Sequence, residues 1–205
     1  MAQRGSYAKG LAKREQIISA ALEIVAERGY RKATVREIAE AVDLSPAGLL
    51  HYFGSREALC IAILEARDLR DSHDADEALD HRDPQRDNTG HGFFATFLEV
   101  IAHNATVPGL VQLYVQLAAE AAEPGHPARA FFTQRSRELE GFAIREIETA
   151  QRSGSIRQDL DPRWVARTLY ALADGFQTAW LLDPSIDMSA DIKVFIGLLA
   201  PPHSG

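Results

Sequence analysis

The stretch ATVREIAEAVDLSPAGLLHYFGSREAL, residues 33–59, decides the fold. Thr34 and Glu37 have the spacing of a capping box, in which the hydroxyl accepts one backbone N–H and the carboxylate accepts another. Behind this cap, an apolar stripe at helical spacing predicts an amphipathic helix. The stripe consists of Val35, Ile38, Ala39 and Val42. Asp43 tolerates the left-handed backbone that ends a helix, so the pattern predicts a short capped helix followed by a tight turn.

A second capped helix follows this turn directly. Ser45 is a typical N-cap residue, and Pro46 stands at the first helical position, where a missing N–H costs nothing. Leu44 and Leu49 flank the cap at the spacing of a hydrophobic staple. Gly54 with the following serine ends this helix and caps the next one. Two short helices joined in this way are typical of a helix-turn-helix.

The first turn of the second helix, residues 46–48, is nearly bare of side chains. Gly costs ~1 kcal/mol relative to Ala inside a helix, so its presence needs a reason. Small residues allow the N-terminal end of a recognition helix to approach base edges closely. His51 and Tyr52 follow on the outer faces, and Arg56 falls where it can reach a phosphate. The alternative is an ordinary pair of core helices with a His-Tyr-Phe surface.

At these residues the sequence resembles the TetR family of one-component bacterial transcriptional regulators. By position, the resemblance implies base or groove contacts by Arg36, Pro46, Ala47, Gly48 and His51. It also implies phosphate contacts by Thr34, Ser45, Tyr52 and Arg56. The chain departs from the family pattern at Asp43, where Gly is usual, and at Leu50, where Tyr is usual. The second departure removes a frequent DNA contact, so either the operator is read differently or Leu50 meets a thymine methyl group.

Composition excludes several classes of protein. The chain has 205 residues, enough for one large or two modest packed domains. No apolar run is long enough to span a membrane, and the N-terminal residues lack the apolar segment of a secretory signal. Cys60 is the single cysteine, so no internal disulfide forms. This fits a reducing cytoplasm, and its apolar neighbours indicate a buried structural thiol.

Charge is distributed unevenly along the chain. The net charge is −7, yet residues 1–67 carry +2 and residues 68–205 carry −9. Four basic residues precede the first acidic one: Arg4, Lys9, Lys13 and Arg14. A basic arm ahead of a helix-turn-helix can add phosphate contacts and salt-sensitive affinity. A solvated tail without function explains the same residues equally well.

The rest of the chain reads as helical, with Pro and Gly as boundaries, and shows no strand pattern and no internal repeat. The predicted helices cover residues 9–28, from 56 onward, 92–104, from 108 onward, 127–152, from 162 onward and 189–199. From Asp68 to His91 the composition becomes acidic, and Asp83-Pro84 breaks any helix there. We therefore expect a frayed fourth helix followed by a mobile loop.

The resemblance implies an all-α protein with two domains. Residues 1–54 would form a three-helix helix-turn-helix DNA-binding domain, and residues 55–205 a helical effector-binding and dimerisation domain, with the fourth helix as connector. The last two helices carry more apolar surface than the preceding ones can cover. Packing against their symmetry mates in a homodimer would bury it. A two-fold dimer suits palindromic double-stranded operator DNA, read by two heads about one turn apart.

The resemblance also implies a small-molecule effector site among the helices of the second domain. An apolar cavity with a few polar anchors suits a small, largely apolar ligand of unknown identity. The candidate residues are Phe97, Ile101, His103, Gln112, Tyr114, Gln116, Phe142, Phe176, Gln177 and Trp180. Taken singly, each aromatic residue is better explained as plain core than as part of a ligand site. His103 is either a polar anchor of the pocket or an ordinary hydrogen-bonded histidine.

Catalytic and metal-binding motifs are not found. No nucleophile elbow, phosphate-cradling glycine loop or paired helical histidines occur, so we expect neither an enzyme nor a cofactor nor a metal. His73, His81 and His91 lack helical spacing, which favours a solvated segment. Three functions stay open: a ligand-released repressor, a DNA-binding dimer controlled by a protein partner or without effector, and, least favoured, an all-helical enzyme. Repression and activation are not distinguished.

Overall fold

The computed structural model describes residues 2–29, 32–80 and 91–201. Within these ranges the protein is built from nine α-helices and contains no strand, as the sequence predicts. The helices are α1 (Ala2–Arg28), α2 (Val35–Ala41), α3 (Pro46–Phe53), α4 (Arg56–Asp80), α5 (His91–Asn104), α6 (Pro108–Ala121), α7 (Arg129–Arg152), α8 (Pro162–Leu182) and α9 (Met188–Leu198).

These helices form two compact units. The first unit contains Met1–Arg70 and Val107–Phe131, and the second contains Asp71–Thr106 and Phe132–Gly205. The predicted boundary after residue 54 therefore lies inside the first unit, because α6 and the first part of α4 pack with the N-terminal helices. The division of labour between a DNA-binding and an effector-binding part stays a prediction.

The first unit has a core drawn from α1 to α4 and α6. Its side chains are almost fully excluded from solvent; the largest are Ile17, Val25, Val42, Leu49, Leu59, Ile63, Leu64, Val111 and Leu113. Helix α1 packs against α2, α3 and α6. Gly29 closes α1 with φ +81° and donates its N–H to the carbonyl of Val25 at 3.0 Å, as expected of a C-terminal glycine.

The second unit is formed by α5, α7, α8 and α9, with α9 packed against α5 and α8. Five of its aromatic residues, Phe93, Phe94, Phe97, Phe142 and Tyr170, form an aromatic cluster with ring-centroid distances of 5.2–6.2 Å. Such offset and edge-on contacts stabilise a core beyond the area that they bury. The cluster therefore ties α5, α7 and α8 together.

Some predicted helix boundaries are wrong. Helix α4 continues to Asp80 instead of fraying at Asp68, since no proline or glycine interrupts residues 68–80 and charged residues are tolerated on solvated helix faces. The part of the predicted loop over residues 81–90, including His81, lies outside the described residues. Helix α1 begins at Ala2, before the predicted start, and α7 begins at Arg129, after it.

The helices from α6 onward otherwise begin close to where the sequence predicts. Pro108 opens α6, and Asp161 caps α8 by accepting the N–H of Arg163 at 2.9 Å. Within the described ranges, no single helix is both long and apolar enough to cross a membrane; α5 and α6 meet that test only when taken together across the break at 105–107.

Candidate nucleic-acid interface

The N-terminus of α2 is held by the predicted capping box. Thr34 Oγ1 accepts the N–H of Glu37 at 3.2 Å, and Glu37 Oε2 accepts the N–H of Thr34 at 2.9 Å. The Thr34 N–H, followed by its hydroxyl, stabilises the charged carboxylate and lowers the pKa of Glu37 below its ordinary value. Because both bonds are satisfied locally, the start of α2 is determined by residues within one turn.

The turn after α2 is a Schellman motif. Asp43 has φ +56°, and its N–H donates to the carbonyl of Glu40 at 3.3 Å. The N–H of Leu44 donates to the carbonyl of Ala39 at 2.8 Å. These two bonds satisfy the last carbonyls of α2. Asp43 thus adopts the left-handed conformation for which glycine is usual, and the turn closes as predicted.

Helix α3 presents its N-terminal turn to solvent. Ser45 Oγ accepts the N–H of Gly48 at 3.0 Å, and Ser45, Pro46 and Ala47 are all exposed. Leu49 is the buried residue of this helix, with 0% of its surface accessible. Helix α3 is therefore not packed under other helices. The start of the helix is free to approach another molecule.

Gly48 lies close to its own cap. A Cβ built on Gly48 would stand 3.2 Å from Ser45 Oγ and 4.0 Å from a methyl group of Leu44. The first distance is tighter than ordinary van der Waals contact, so a side chain here would press on the cap. Gly48 therefore keeps the first turn both thin and capped.

The predicted contact residues around α3 differ in exposure. His51 is exposed at the end of the helix, while Leu50 and Tyr52 are half-buried. The rings of His51 and Tyr52 meet edge-on with centroids 6.3 Å apart. Arg56 is exposed in the first turn of α4, which Ser55 caps by accepting the N–H of Ala58 at 3.1 Å. Their DNA contacts stay predictions.

Arg36 on α2 is exposed and paired with Glu40. Its Nε donates to Glu40 Oε1 at 2.8 Å, and this hydrogen bond raises the pKa of Arg36 above its ordinary value. Exposed i,i+4 pairs contribute little free energy, so a phosphate or base can compete for the guanidinium. The pair orients Arg36 without holding it firmly.

The predicted effector residues are divided between the two units. The second unit contains Phe97, Ile101, His103, Phe142, Phe176, Gln177 and Trp180, and the first contains Gln112, Tyr114 and Gln116. His103 and Gln116 are exposed, with His103 beside Thr106 and Gln116 donating to Glu120 Oε1 at 3.2 Å. These two side chains do not line an enclosed cavity within their own units, because both are exposed to solvent. Phe142 is also 47% exposed.

Gln177 differs from the other candidates in the second unit. Only 6% of its surface is accessible, and its Oε1 has no hydrogen-bond partner among residues 2–29, 32–80 and 91–201. A buried acceptor without a donor costs free energy, and native structures contain few of them. Tyr170 lies two helical turns before Gln177 on α8. Its hydroxyl donates to the carbonyl of Leu139 at 3.4 Å, and burial raises the pKa of Tyr170 to about 12.

Sequence reasoning missed Arg67. Arg67 is 6% exposed, its guanidinium carbon lies 5.1 Å from the centroid of the Tyr114 ring, and its Nη2 donates to Asp68 Oδ1 at 2.9 Å, all within the first unit. The signal was present in the spacing, since Leu59, Ile63 and Arg67 follow one another at four-residue intervals on one face of α4. An arginine on a buried stripe indicates a specific partner. Here the partner is the face of an aromatic ring on α6.

Metal ligands do not cluster in the part of the chain that the structure describes. No group of three or more His, Cys, Asp or Glu side chains converges there. His73 is exposed on α4, and Cys60 is buried, as expected for a structural thiol.

Comparison with known families matches most of the chain. Residues 17–63 match the family described as bacterial regulatory proteins, tetR family, and residues 94–192 match the BetI-type transcriptional repressor C-terminal family. The transcriptional regulator TcmR of Streptomyces glaucescens is 27% identical over 182 residues, covering 86% of this chain and 76% of TcmR. The regulator UidR of Escherichia coli K12 is 28% identical over 163 residues, covering 79% of this chain and 78% of UidR. These are families of regulators, not of enzymes.

Solved structures share the fold. A putative TetR-family regulator from Rhodococcus superposes with a TM-score of 0.71 at 23% identity, covering 92% of this chain and 98% of that one. FadR of Bacillus subtilis in complex with stearoyl-CoA gives 0.69 at 19% identity, covering 91% and 97%. A putative regulator from Saccharomonospora viridis in complex with choline gives 0.68 at 21% identity, covering 90% and 95%.

Proposed function

Because this chain belongs to the TetR family of bacterial regulatory proteins and is a DNA-binding transcriptional regulator, we propose that it is a homodimeric repressor. It binds a palindromic operator and is released when a small, largely apolar ligand binds. Operator DNA lies in the bacterial cytoplasm, so this function places the protein there.

The exposed, nearly bare first turn of α3 carries the DNA-binding part of the proposal. Ser45 caps this turn by accepting the N–H of Gly48, and the side chains at 46–48 are small. Leu49, which is fully buried, packs the helix onto the core. This geometry suits a helix that enters the major groove with its N-terminal end first. Thr34, Ser45, Tyr52 and Arg56 would contact phosphates on either side, and His51 would reach a base edge.

Exposed apolar side chains on the last two helices support the homodimer. Trp164 and Leu182 at the ends of α8 are 51% and 84% exposed, and Val194 and Leu198 on α9 are 66% and 70% exposed. Apolar residues concentrated on neighbouring helices are typical of a surface that another subunit covers. A two-fold pair of such helices forms a four-helix bundle and gives the two reading heads that a palindrome needs.

The buried amide of Gln177 supports ligand control. In the described part of the second unit, the buried polar residues are the neutral Asn104 and Gln177, and the other buried side chains are apolar. A ligand with an apolar body and an uncharged hydrogen-bond donor would supply the partner that Gln177 Oε1 lacks. Solved structures of the same fold in complex with stearoyl-CoA and with choline are consistent with control by a small-molecule effector.

A mobility-shift assay on the DNA upstream of the gene tests this function. We expect a complex with labelled upstream DNA, for which unlabelled upstream DNA competes and a scrambled duplex does not. We also expect an apolar fraction of the bacterium's metabolites to dissociate this complex. Equal binding to both duplexes would refute operator recognition. A complex that neither apolar nor polar fractions dissociate would refute ligand release and favour control by a protein partner.

A further inference from the structure

We propose that Lys13 and Arg14 are positioning residues that hold α3 at both of its ends, and that they do not contact DNA phosphates. This inference rests on the DNA-binding surface proposed above. It assigns a role to two of the four basic residues that precede the first acidic residue, and that role differs from the role of a charged arm.

Lys13 holds the turn before α3. Its Nζ donates to the carbonyl of Val42 at 2.6 Å and to Gln16 Oε1 at 3.0 Å. Val42 is the C-cap of α2 and directly precedes the left-handed residue Asp43. The last carbonyls of a helix lack intrahelical donors and lie at the negative end of its dipole, so an ammonium group is favourable there. Lys13 therefore restrains the point at which the chain turns into α3.

Arg14 holds the other end of α3. Its guanidinium carbon lies 5.0 Å from the centroid of the Phe53 ring, within the distance of a cation–π contact. Phe53 is the last residue of α3 before Gly54 ends it with φ +83°. Lys13 and Arg14, which are consecutive in α1, thus contact the turn before α3 and the last residue of α3.

The position of both residues on α1 explains why they point inward. Lys13 and Arg14 precede the fully buried Ile17 by four and three residues, so they continue the buried stripe of α1 by one turn. Both are half-buried, whereas Lys9 is exposed. Their aliphatic stems cover the core while their charged ends bond to the helix-turn-helix. A cation used in this way sets the angle of α3 and leaves the phosphates to other residues.

Salt dependence separates the two roles. Each cation that neutralises a phosphate contributes about 0.9 to the slope of log affinity against log salt. A positioning residue changes the fit of α3 in the groove, so it changes the affinity for the specific site without changing that slope. Loss of a positioning residue therefore lowers the ratio of specific to non-specific affinity, because non-specific binding does not depend on the angle of α3.

The decisive variant is Lys13→Met, which keeps the aliphatic stem and removes the ammonium group. With the site that the wild-type chain protects in its upstream DNA, we expect about tenfold weaker binding, corresponding to about 1.4 kcal/mol. The salt slope and the affinity for a scrambled duplex should be unchanged. Lys13→Arg, whose guanidinium can still donate to Val42, should restore most of the affinity. Lys9→Met is the matched control, since it removes one exposed positive charge from the same helix.

Arg14 is tested through its partner. Arg14→Leu and Phe53→Leu should each weaken specific binding severalfold, and the double variant should be no weaker than either single one, because both changes break one contact. Thermal unfolding of each variant checks that the proteins compared are folded. A variant that unfolds is replaced by Arg14→Lys, which keeps a cation above the ring and should bind as the wild type does.

Three results would overturn the inference. A salt slope lowered by about one in Lys13→Met would make Lys13 a phosphate contact. A lower unfolding temperature with an unchanged specificity ratio would make both residues purely structural. Additive losses of specific affinity in Arg14→Leu and Phe53→Leu would show that the two side chains do not act through one contact. If the wild-type chain itself preferred no sequence, the proposed function would fail first, which distinguishes that failure from these.

Discussion

Gly109, the second residue of α6, lies directly against the carbonyl oxygen of Val25 in α1. A Cβ built on Gly109 would stand 1.9 Å from that oxygen and 2.8 Å from the Cα of Gly29. No other residue fits, because both obstacles are backbone atoms that cannot rotate away. This contact joins α6 to the helix that supports the helix-turn-helix, within the first unit.

We expect Gly109→Ala to destabilise the protein by about 2 kcal/mol or more, as overpacked cores do. The melting temperature should fall by roughly 4–8 °C for a chain of this length. Gly141→Ala is the control, since the nearest atom to its added Cβ would be Arg145 Nη1 at 3.8 Å. It should raise stability by up to ~1 kcal/mol through helix propensity. Thermal unfolding that ranks the two variants in the opposite order would contradict the packing of α1 on α6.

His51→Ala should change which sequence the protein prefers. The side chain is exposed on α3, where the family resemblance implies a contact with a base edge. Loss of a good base contact costs ~1–3 kcal/mol of discrimination at one position. Affinities for a set of duplexes with single base-pair changes measure this. Uniform weakening at all positions would assign His51 to the backbone, and Glu23→Ala, an exposed change on α1, serves as control.

Arg56→Ala should weaken binding to every sequence alike. The residue lies in the first turn of α4, beside the reading helix, and would neutralise one phosphate. The slope of log affinity against log salt should then fall by about one. Titrations at several salt concentrations give this slope. Arg137→Ala, on the exposed surface of α7, should leave the slope unchanged. A sequence-dependent loss for Arg56→Ala would disprove the phosphate contact.

Leu198→Asp should separate the proposed dimer. Leu198 is 70% exposed on α9, and a carboxylate in a covered apolar surface would carry a large desolvation penalty. We expect the mass in sedimentation equilibrium to halve and operator binding to weaken at the same protein concentration. Leu69→Asp is the matched control, since Leu69 is 72% exposed on α4, which is not part of the proposed dimer surface. A dimer that survives Leu198→Asp would argue against the surface on α8 and α9.

Glu37→Gln should reduce the loss of stability at acid pH. The hydrogen bond from the Thr34 N–H holds the pKa of Glu37 in the folded chain below its ordinary value. The carboxylate therefore contributes fully above the ordinary value, and its contribution disappears as the pH falls through the lower folded pKa. Melting temperatures at neutral pH and near pH 3 should lie closer together in Glu37→Gln than in the wild type. Glu23→Gln, which removes an exposed carboxylate without a capping role, should keep the wild-type difference.

The sequence by itself determined the helix-turn-helix. The cap at Thr34, the left-handed turn at Asp43, the cap at Ser45 and the end at Gly54 all appear in the structure as expected. Each of these features depends on hydrogen bonds between residues at most five apart. Such signals are complete within a short stretch of chain, so the residue types and their spacing are enough to read them.

Only the tertiary structure decided which distant residues meet. Lys13 bonds to a carbonyl 29 residues away, Arg67 lies over Tyr114, and Gly109 contacts Val25. The same long-range packing assigns α6 to the first unit, across the predicted domain boundary. These contacts depend on how whole helices pack side by side, and many arrangements satisfy the same apolar spacing. The local pattern therefore predicts each helix and its ends, while the choice of neighbours follows from the fit of complete helix surfaces.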